Sequence, residues 1–390
     1  MVMGEENRTP LHPNKRILSL DVMRGISLLG IFLVNMISFH SPYLYYDPYH
    51  WWNSPSDYAH YAWIDVLVQA SFYPLFAMLF GYSMSLQQER LKQNFFLLES
   101  KRLLVLMVAG ILHIVFIWSG DILLNYSVCG FLLLLFMKGR GRTLIIFGSV
   151  LYLIPHLFLS ILLIMTSIIN PESTAFWSDM NGIQHSIQAY STGSFWSITK
   201  QRLVDWYSVN GSTHFFSVLL SIFPMFLIGA GAGKLHLVES IEKHKKLNLT
   251  LLLMFMAAGI FLKLLPFFFG QNMAYQYVQD SLGGPLLSVA YALAVMIIVR
   301  NPYGQKYSKW IAQAGRMSLT NYLFQSVIGS LLFYHYGLAL YGKMDLITGS
   351  WLAFTLYLIQ LILSEMWLSK FQQGPLENVW KMLVYGRKTA

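Results

Sequence analysis

The stretch that decides the fold is ILSLDVMRGISLLGIFLVNMISFH, residues 17–40. It is long and apolar enough to cross a hydrocarbon core of about 30 Å as a helix. Yet it carries Asp21, Arg24 and Asn35 and closes on His40. At about 100° per residue, Asp21, Arg24, Leu28 and Asn35 share one face roughly 60° wide. Polar groups in hydrocarbon are costly and turn toward a bundle interior or a wet cavity. This helix therefore needs partners, and Gly25 and Gly30 let them come close. Two readings of the stripe stand side by side. Asp21 and Arg24 form a structural ion pair, with Asn35 bonding to a neighbouring helix. Alternatively, Asp21 and Arg24 contact a cytoplasmic anion or cofactor, and Asn35 contacts a substrate.

The rest of the chain agrees with a membrane setting. Of 390 residues, 55% are hydrophobic, 16% aromatic and only 12% charged, against about 25% charged in ordinary soluble proteins. The apolar residues lie in long blocks. We expect an all-α, polytopic transmembrane bundle of ten spans: 17–39, 61–87, 102–118, 121–137, 143–169, 213–233, 247–269, 281–300, 315–336 and 349–370. A polar tail, 1–16, precedes the bundle and another, 371–390, follows it. The charged link 234–246 divides it into candidate halves, 17–233 and 247–370. The first block is too long for a signal h-region and lacks a small-x-small cleavage site, so it is expected to remain as a helix.

Charge placement orients these spans. Of the 27 Lys and Arg residues, 22 fall on the side of the N-terminus and three, Lys200, Arg202 and Lys343, on the other. That bias puts both termini in the cytoplasm. The net charge of +9 is spread over helix flanks and forms no single basic face, which excludes nucleic acid as a partner. The single cysteine, Cys129, excludes a disulfide framework and a cysteine metal site. No P-loop, dinucleotide fingerprint, zinc motif or nucleophile elbow is present. The outer segments 40–60 and 170–212 are rich in Tyr and Trp, which serve as interface anchors or as a platform for a sugar. The second is expected to lie on the outer interface as short amphipathic pieces.

Polar residues inside the spans supply the site candidates. In LHIVFIWSGDILLNYSVCG, residues 112–130, a tight hairpin returns Asp121 toward His113, with Asn125 and Tyr126 following. A carboxylate that orients a histidine makes it a general base, and the same pair serves equally as a proton relay. In GRMSLTNYLFQS, residues 315–326, Ser318, Asn321 and Gln325 share a face and Arg316 sits at the cytoplasmic mouth. Glu365 and Lys263 read as structural, with Lys263 snorkelling to the outer interface.

The blocks LDVMRGISLLGIFLVN, LFAMLFGYS (75–83), GILHIVFIWSGDILLNYSVCG (110–130), GRMSLTNYLFQSVI (315–328), FYHYGL (333–338) and FQQGPLENVW (371–380) resemble, in order, the YeiB family of bacterial inner-membrane proteins. Family members often carry Trp where Asn378 stands here. That family in turn resembles, more distantly, the transmembrane acyltransferases that include heparan-glucosaminide N-acetyltransferase. There an Asp-x-x-Arg-Gly helix is followed by Asn and then His. Arg24-Gly25 and Asn35 match that pattern. His40, His50 and His60 stand nearby at other spacings, and His113 belongs to the YeiB blocks. The resemblance implies a bacterial inner-membrane acyltransferase. It would use cytoplasmic acyl-CoA, such as acetyl-CoA, as co-substrate without a tightly bound cofactor or metal. The acceptor would be a small molecule or glycan. In that scheme Asp21, Arg24, Arg102 and Arg316 bind the donor and His113 or His40 is the base. Asp121 orients His113. Asn35, Asn125, Tyr126, Ser318, Asn321 and Gln325 contact substrate. A proton-coupled transporter and a non-catalytic scaffold or sensor are the alternatives.

Overall fold

The computed structural model describes residues 17–386, except 53 and 213 and the side chains of 242 and 243. The expected tail 1–16 and residues 387–390 lie outside the described residues. Among the described residues, all regular structure is helical. In chain order the helices are α1 (Leu18–His40), α2 (Pro48–Trp51), α3 (Pro55–Leu67), α4 (Phe72–Leu91), α5 (Phe95–Phe116), α6 (Leu123–Phe136), α7 (Gly141–Ile169), α8 (Met180–Thr192), α9 (Phe195–Asn210), α10 (Phe215–Lys234), α11 (Lys245–Lys263), α12 (Leu265–Phe269), α13 (Met273–Val278), α14 (Gly284–Arg300), α15 (Pro302–Arg316), α16 (Ser318–Phe333), α17 (Leu346–Lys370) and α18 (Pro375–Tyr385). The fold is an all-α, polytopic membrane bundle. The end at which α1 begins is called proximal below, and the end at which it finishes distal.

Six segments are long and apolar enough to cross a membrane: Leu18–His40, Gly141–Ile169, Phe215–Lys234, Lys245–Phe269, Met273–Arg300 and Leu346–Lys370. Their outward faces remain apolar. On α7, for example, Ile146, Ile154, Phe158 and Ile161 are exposed, as expected where lipid replaces water as solvent.

Several spans differ from the continuous blocks read in the sequence. The block 61–87 is broken: α3 ends at Leu67, Ala70 takes a positive φ of 56°, and α4 starts at Phe72. The break frees backbone carbonyls, and α14 supplies donors for them. Tyr291 Oη donates to the Leu67 carbonyl at 2.7 Å, and Ser288 Oγ donates to that of Ser71. Freed backbone groups at membrane depth survive only when neighbouring helices satisfy them in this way. The block 281–300 starts earlier, at Met273, and contains a π-helical turn, Gln279–Gly283. Residues 302–314, expected as loop, form most of α15, which ends at Arg316, inside the expected ninth span. The C-terminal segment 371–386 also contains a helix, α18. Within 170–212, α8 and α9 lie at the distal end.

The central helix α1 packs against α4 and α14–α17. Its approach to α15 brings backbones together: a Cβ at Gly25 would stand 2.2 Å from the Ile311 carbonyl oxygen, and one at Gly315 would stand 1.9 Å from that of Asp21. Only glycine fits at either place. Gly30 instead receives the Phe72 ring.

Lys263 does not snorkel. It is fully buried, and its Nζ lies 2.9 Å from Oδ1 of Asp280, on the π-helical turn. The extra residue in that turn rotates the local backbone, and Asp280 meets the ammonium where a regular helix repeat gave no reason to expect it.

Candidate functional site

A cavity of about 930 Å³ penetrates the bundle from the proximal end. Six helices, α1, α4, α5, α15, α16 and α18, set its chemistry. From α1 come Asp21, Arg24, Leu28 and Ile31, three of them members of the stripe read in the sequence. Arg24 Nη1 donates to Asp21 Oδ1 at 2.7 Å, and Nη2 donates to Ser83 Oγ of α4 at 2.6 Å. From α5 comes Arg102, bonded to the buried Glu99 at 3.1 Å and stacked on Trp380 of α18 at 4.7 Å. Arg316 and Ser318, at the junction of α15 and α16, complete the mouth with Arg90 and Lys381. Arg316 Nη2 donates to the Gln372 carbonyl at 3.1 Å, while its buried Nε meets no acceptor among the described residues. Burial and then the neighbouring Arg90 charge hold Lys381 below the usual lysine range. The lining holds five basic residues, Arg24, Arg90, Arg102, Arg316 and Lys381, and four acidic ones, Asp21, Glu89, Glu239 and Glu377, so its charge is mixed with a small positive balance.

The amphipathic helix α18 forms one wall. Its Glu377 caps α16: Oε1 accepts from the Leu319 and Thr320 amides at 2.9 and 3.0 Å, and Oε2 accepts from Thr320 Oγ1 at 2.5 Å. Burial raises the Glu377 pKa, and these bonds partly oppose the rise.

Ile122, Leu123, Tyr126 and Tyr322 also line the cavity. Behind Tyr322 lies the pair found in the hairpin motif. His113 Nδ1 is 3.0 Å from Asp121 Oδ1, and both side chains are fully buried. Asp121 Oδ2 accepts from the Leu124 amide at 2.8 Å, which caps α6. Gly110 makes room, because a Cβ there would stand 2.9 Å from Asp121 Oδ2. Neither ring nitrogen of His113 nor Asp121 Oδ1 makes a hydrogen bond of good geometry among the described residues, so the 3.0 Å approach is a close polar contact. Tyr322 lies 5.4 Å from the imidazole, ring centre to ring centre. Its hydroxyl bridges the hairpin, donating to the Gly120 carbonyl at 3.2 Å and accepting from the Ile122 amide at 3.3 Å. Trp118 stands 6.4 Å away on another side of His113 and stacks on Phe39 at 4.2 Å. Next to it, Ser119 lines a distal pocket of about 20 Å³ with Tyr190, Asp205, Tyr334 and Tyr341. That volume suits one water. The buried imidazole–carboxylate pair thus lies one ring from the proximal cavity, and the hairpin that carries it lines the distal pocket through Ser119.

The other sequence candidates lie elsewhere. His40 is fully buried beside Gly349, Phe333 and Trp52, and lines neither cavity. Asn35 is half-buried and lines neither. Asn125 Nδ2 donates to Asn210 Oδ1 at 2.8 Å. Asn321 bonds the Ala314 carbonyl and Ser364, and Gln325 bonds Gln360, tying α16 to α15 and α17. Tyr126 lines the cavity, and its hydroxyl donates to the Tyr73 carbonyl at 3.1 Å. Sequence reasoning missed Tyr322, Glu377 and Trp380. All three stood in resemblance blocks, but only the packing of α16 on the hairpin and the docking of α18 show what they touch.

Residues 232–387 match the sequence profile of a family described as "Protein of unknown function (DUF418)". Over nearly their whole lengths, three relatives are similar to the chain. The "Uncharacterized protein YxaH" of Bacillus subtilis (strain 168) is 31% identical, with 96% of each chain covered. The "Uncharacterized protein YeiB" of Escherichia coli (strain K12) is 28% identical, with 95% of this chain and 96% of the relative covered. The "Uncharacterized 39.9 kDa protein in amylase 3'region" of Bacillus acidopullulyticus is 27% identical, with 97% of this chain and 96% of the relative covered. No solved structure matches the chain. With its helical membrane bundle and end-to-end similarity to these proteins, the chain belongs to the YeiB-type family.

Proposed function

We propose that this protein is a membrane acyltransferase of the bacterial inner membrane, with ten crossings and both termini in the cytoplasm. It would move an acyl group from cytoplasmic acyl-CoA to an acceptor that arrives from the other side. The observation that carries the reading is the basic mouth of one cavity, formed by Arg24, Arg90, Arg102, Arg316 and Lys381, whose apolar inner end stops at Tyr322, one ring from His113. Such a mouth suits pyrophosphate and phosphate. The apolar end suits a pantetheine arm and a short acyl chain.

In this scheme the Tyr322 ring swings aside as the thioester enters. His113 takes the proton from the acceptor hydroxyl or amine as that group attacks the thioester carbonyl. Asp121 holds the imidazole in orientation and balances the imidazolium charge. The carbon–sulfur bond then breaks, and the departing thiolate takes the proton from His113. Isothermal titration of the purified protein with CoA tests the donor site, and release of free thiol from acetyl-CoA tests the chemistry. We expect binding, slow turnover, and loss of turnover alone in His113→Ala. Absence of CoA binding at millimolar concentration would refute the reading.

One observation favours a second reading, a proton-coupled transporter. The two cavities share no lining residue, and the hairpin that contributes to both carries an ionisable pair, which suits a proton relay. That reading expects substrate flux that stops when the proton gradient is dissipated. Gradient-independent turnover in detergent counts against it.

A further inference from the structure

We propose that Arg202, at the distal end, is the anchoring group of a phosphate-binding site. Helix α9 is amphipathic. Trp196, Leu203, Val204 and Tyr207 are exposed, whereas Ile198, Thr199, Arg202 and Asp205 are buried. Arg202 is fully buried. Its Nη2 donates to Thr199 Oγ1 at 2.6 Å, but Nε and Nη1 meet no acceptor among the described residues. No carboxylate among those residues pairs with it within 4.0 Å.

The natural partner lies one turn away and is already engaged. Asp205 accepts from Tyr45 Oη at 2.5 Å, from Gln201 Nε2 at 2.7 Å and from Tyr190 Oη. Three donors leave that carboxylate little capacity for Arg202. A guanidinium keeps its charge at every physiological pH. A buried charge without a partner is strongly unfavourable, so the arrangement calls for an anion from outside the chain.

Phosphate fits best among the common anions. Its oxygens satisfy two open nitrogens together, and arginine recognises phosphate by charge-assisted bonds. The cover over the site is thin: the guanidinium lies 5.3 Å from the Phe195 ring centre, and Phe195 is itself exposed. Rotation of that ring opens the guanidinium to solvent. A soluble phosphate ester and a lipid headgroup share this chemistry. The exposed apolar side of α9 brings the site level with headgroups. The site stands independently of acyl transfer, and under that reading it would hold the acceptor.

The experiment follows thermal unfolding of the full-length protein with sodium phosphate, or with sodium chloride at equal ionic strength. A second arm compares nanodiscs of phosphatidylcholine with nanodiscs containing phosphatidylglycerol. We expect millimolar phosphate to raise the wild-type midpoint above the chloride control. Phe195→Ala should respond at lower concentration, and Arg202→Met should not respond. Stabilisation by phosphatidylglycerol but not by inorganic phosphate, again lost in Arg202→Met, assigns the site to a headgroup. If Arg202→Met fails to fold, the shifted response of Phe195→Ala decides the matter. The proposal is overturned if neither phosphate nor phosphatidylglycerol stabilises wild type or Phe195→Ala, or if Arg202→Met responds as wild type does. These outcomes do not depend on whether CoA binds.

Discussion

His113 Nδ1 and Asp121 Oδ1 lie 3.0 Å apart across the α5–α6 hairpin, with neither side chain open to solvent. Eight residues separate them in sequence, and the turn at Ser119–Gly120 brings them face to face. Asp121 has a second duty as the cap of α6. A variant must therefore separate chemistry from folding. Asp121→Asn keeps the cap oxygen and removes the charge. We expect it to lower acyl-transfer kcat about 10- to 100-fold, whereas His113→Ala lowers it about 100- to 10,000-fold. Steady-state rates beside thermal midpoints check this. Equal activity in wild type and His113→Ala would remove the imidazole from the mechanism.

Tyr322 closes the cavity and ties the hairpin. Tyr322→Phe removes two hydroxyl bonds and is expected to cost about 1–2 kcal/mol of stability. Tyr322→Ala opens the wall before His113. Diethylpyrocarbonate should then modify His113 much faster than in wild type, as read by peptide mass spectrometry. Unchanged labelling would show that something other than Tyr322 shields the imidazole.

The basic mouth is not uniform. Arg24 and Arg102 already pair with Asp21 and Glu99, while the Arg316 guanidinium bonds the Gln372 backbone carbonyl. We expect Arg316→Gln to weaken CoA binding about tenfold, or about 1.4 kcal/mol, with the thermal midpoint preserved. Arg102→Ala leaves Glu99 buried and unpaired, so it should lower the midpoint as well. Titration calorimetry and scanning calorimetry on the two variants distinguish these effects.

Glu377 predicts a pH dependence at the α18–α16 contact. Burial raises its folded pKa above the unfolded value of about 4.3. A raised carboxyl pKa stabilises the fold fully below the unfolded pKa, and that contribution is lost as pH rises through the folded pKa. Glu377→Gln does not titrate. The stability of wild type relative to this variant should therefore be greatest in acid and decline with rising pH. Unfolding midpoints of both proteins at a series of pH values test the sign, and a difference that grows with pH would contradict it.

Lys263 is fully buried and pairs with the partly exposed Asp280. Lys263→Met alone leaves Asp280 without its partner and should destabilise the fold, by less than the loss of a partner costs a fully buried charge. Adding Asp280→Asn should restore much of that loss. A double-mutant cycle by chemical unfolding measures the coupling, and additive losses would show that the two charges act independently.

Much was legible in the sequence because membrane helices obey one-dimensional rules. Apolar length, charge at the flanks and the 3.6-residue repeat are properties of a segment by itself. They pointed to the helical bundle, to the stripe of Asp21, Arg24, Leu28 and Asn35 on one helix face, and to a hairpin that joins His113 to Asp121. The stripe nevertheless divided in three dimensions. Its first members line the proximal cavity, while Asn35, toward the far end of the same helix, does not. Likewise, Asn321 and Gln325 looked like substrate contacts, but α17 presents Ser364 and Gln360 to them as hydrogen-bond partners. Whether a polar residue is glue or lining depends on what the neighbouring helix places opposite, and no segment carries that information. The break at Ala70 and the turn at Asp280 belong to the same class, since their backbone cost is met by donors and charges from distant parts of the chain. The sequence by itself determined the helices and the chemistry available on each face. Tertiary packing alone decided which of those faces meet empty space, because a cavity is a property of several helices at once.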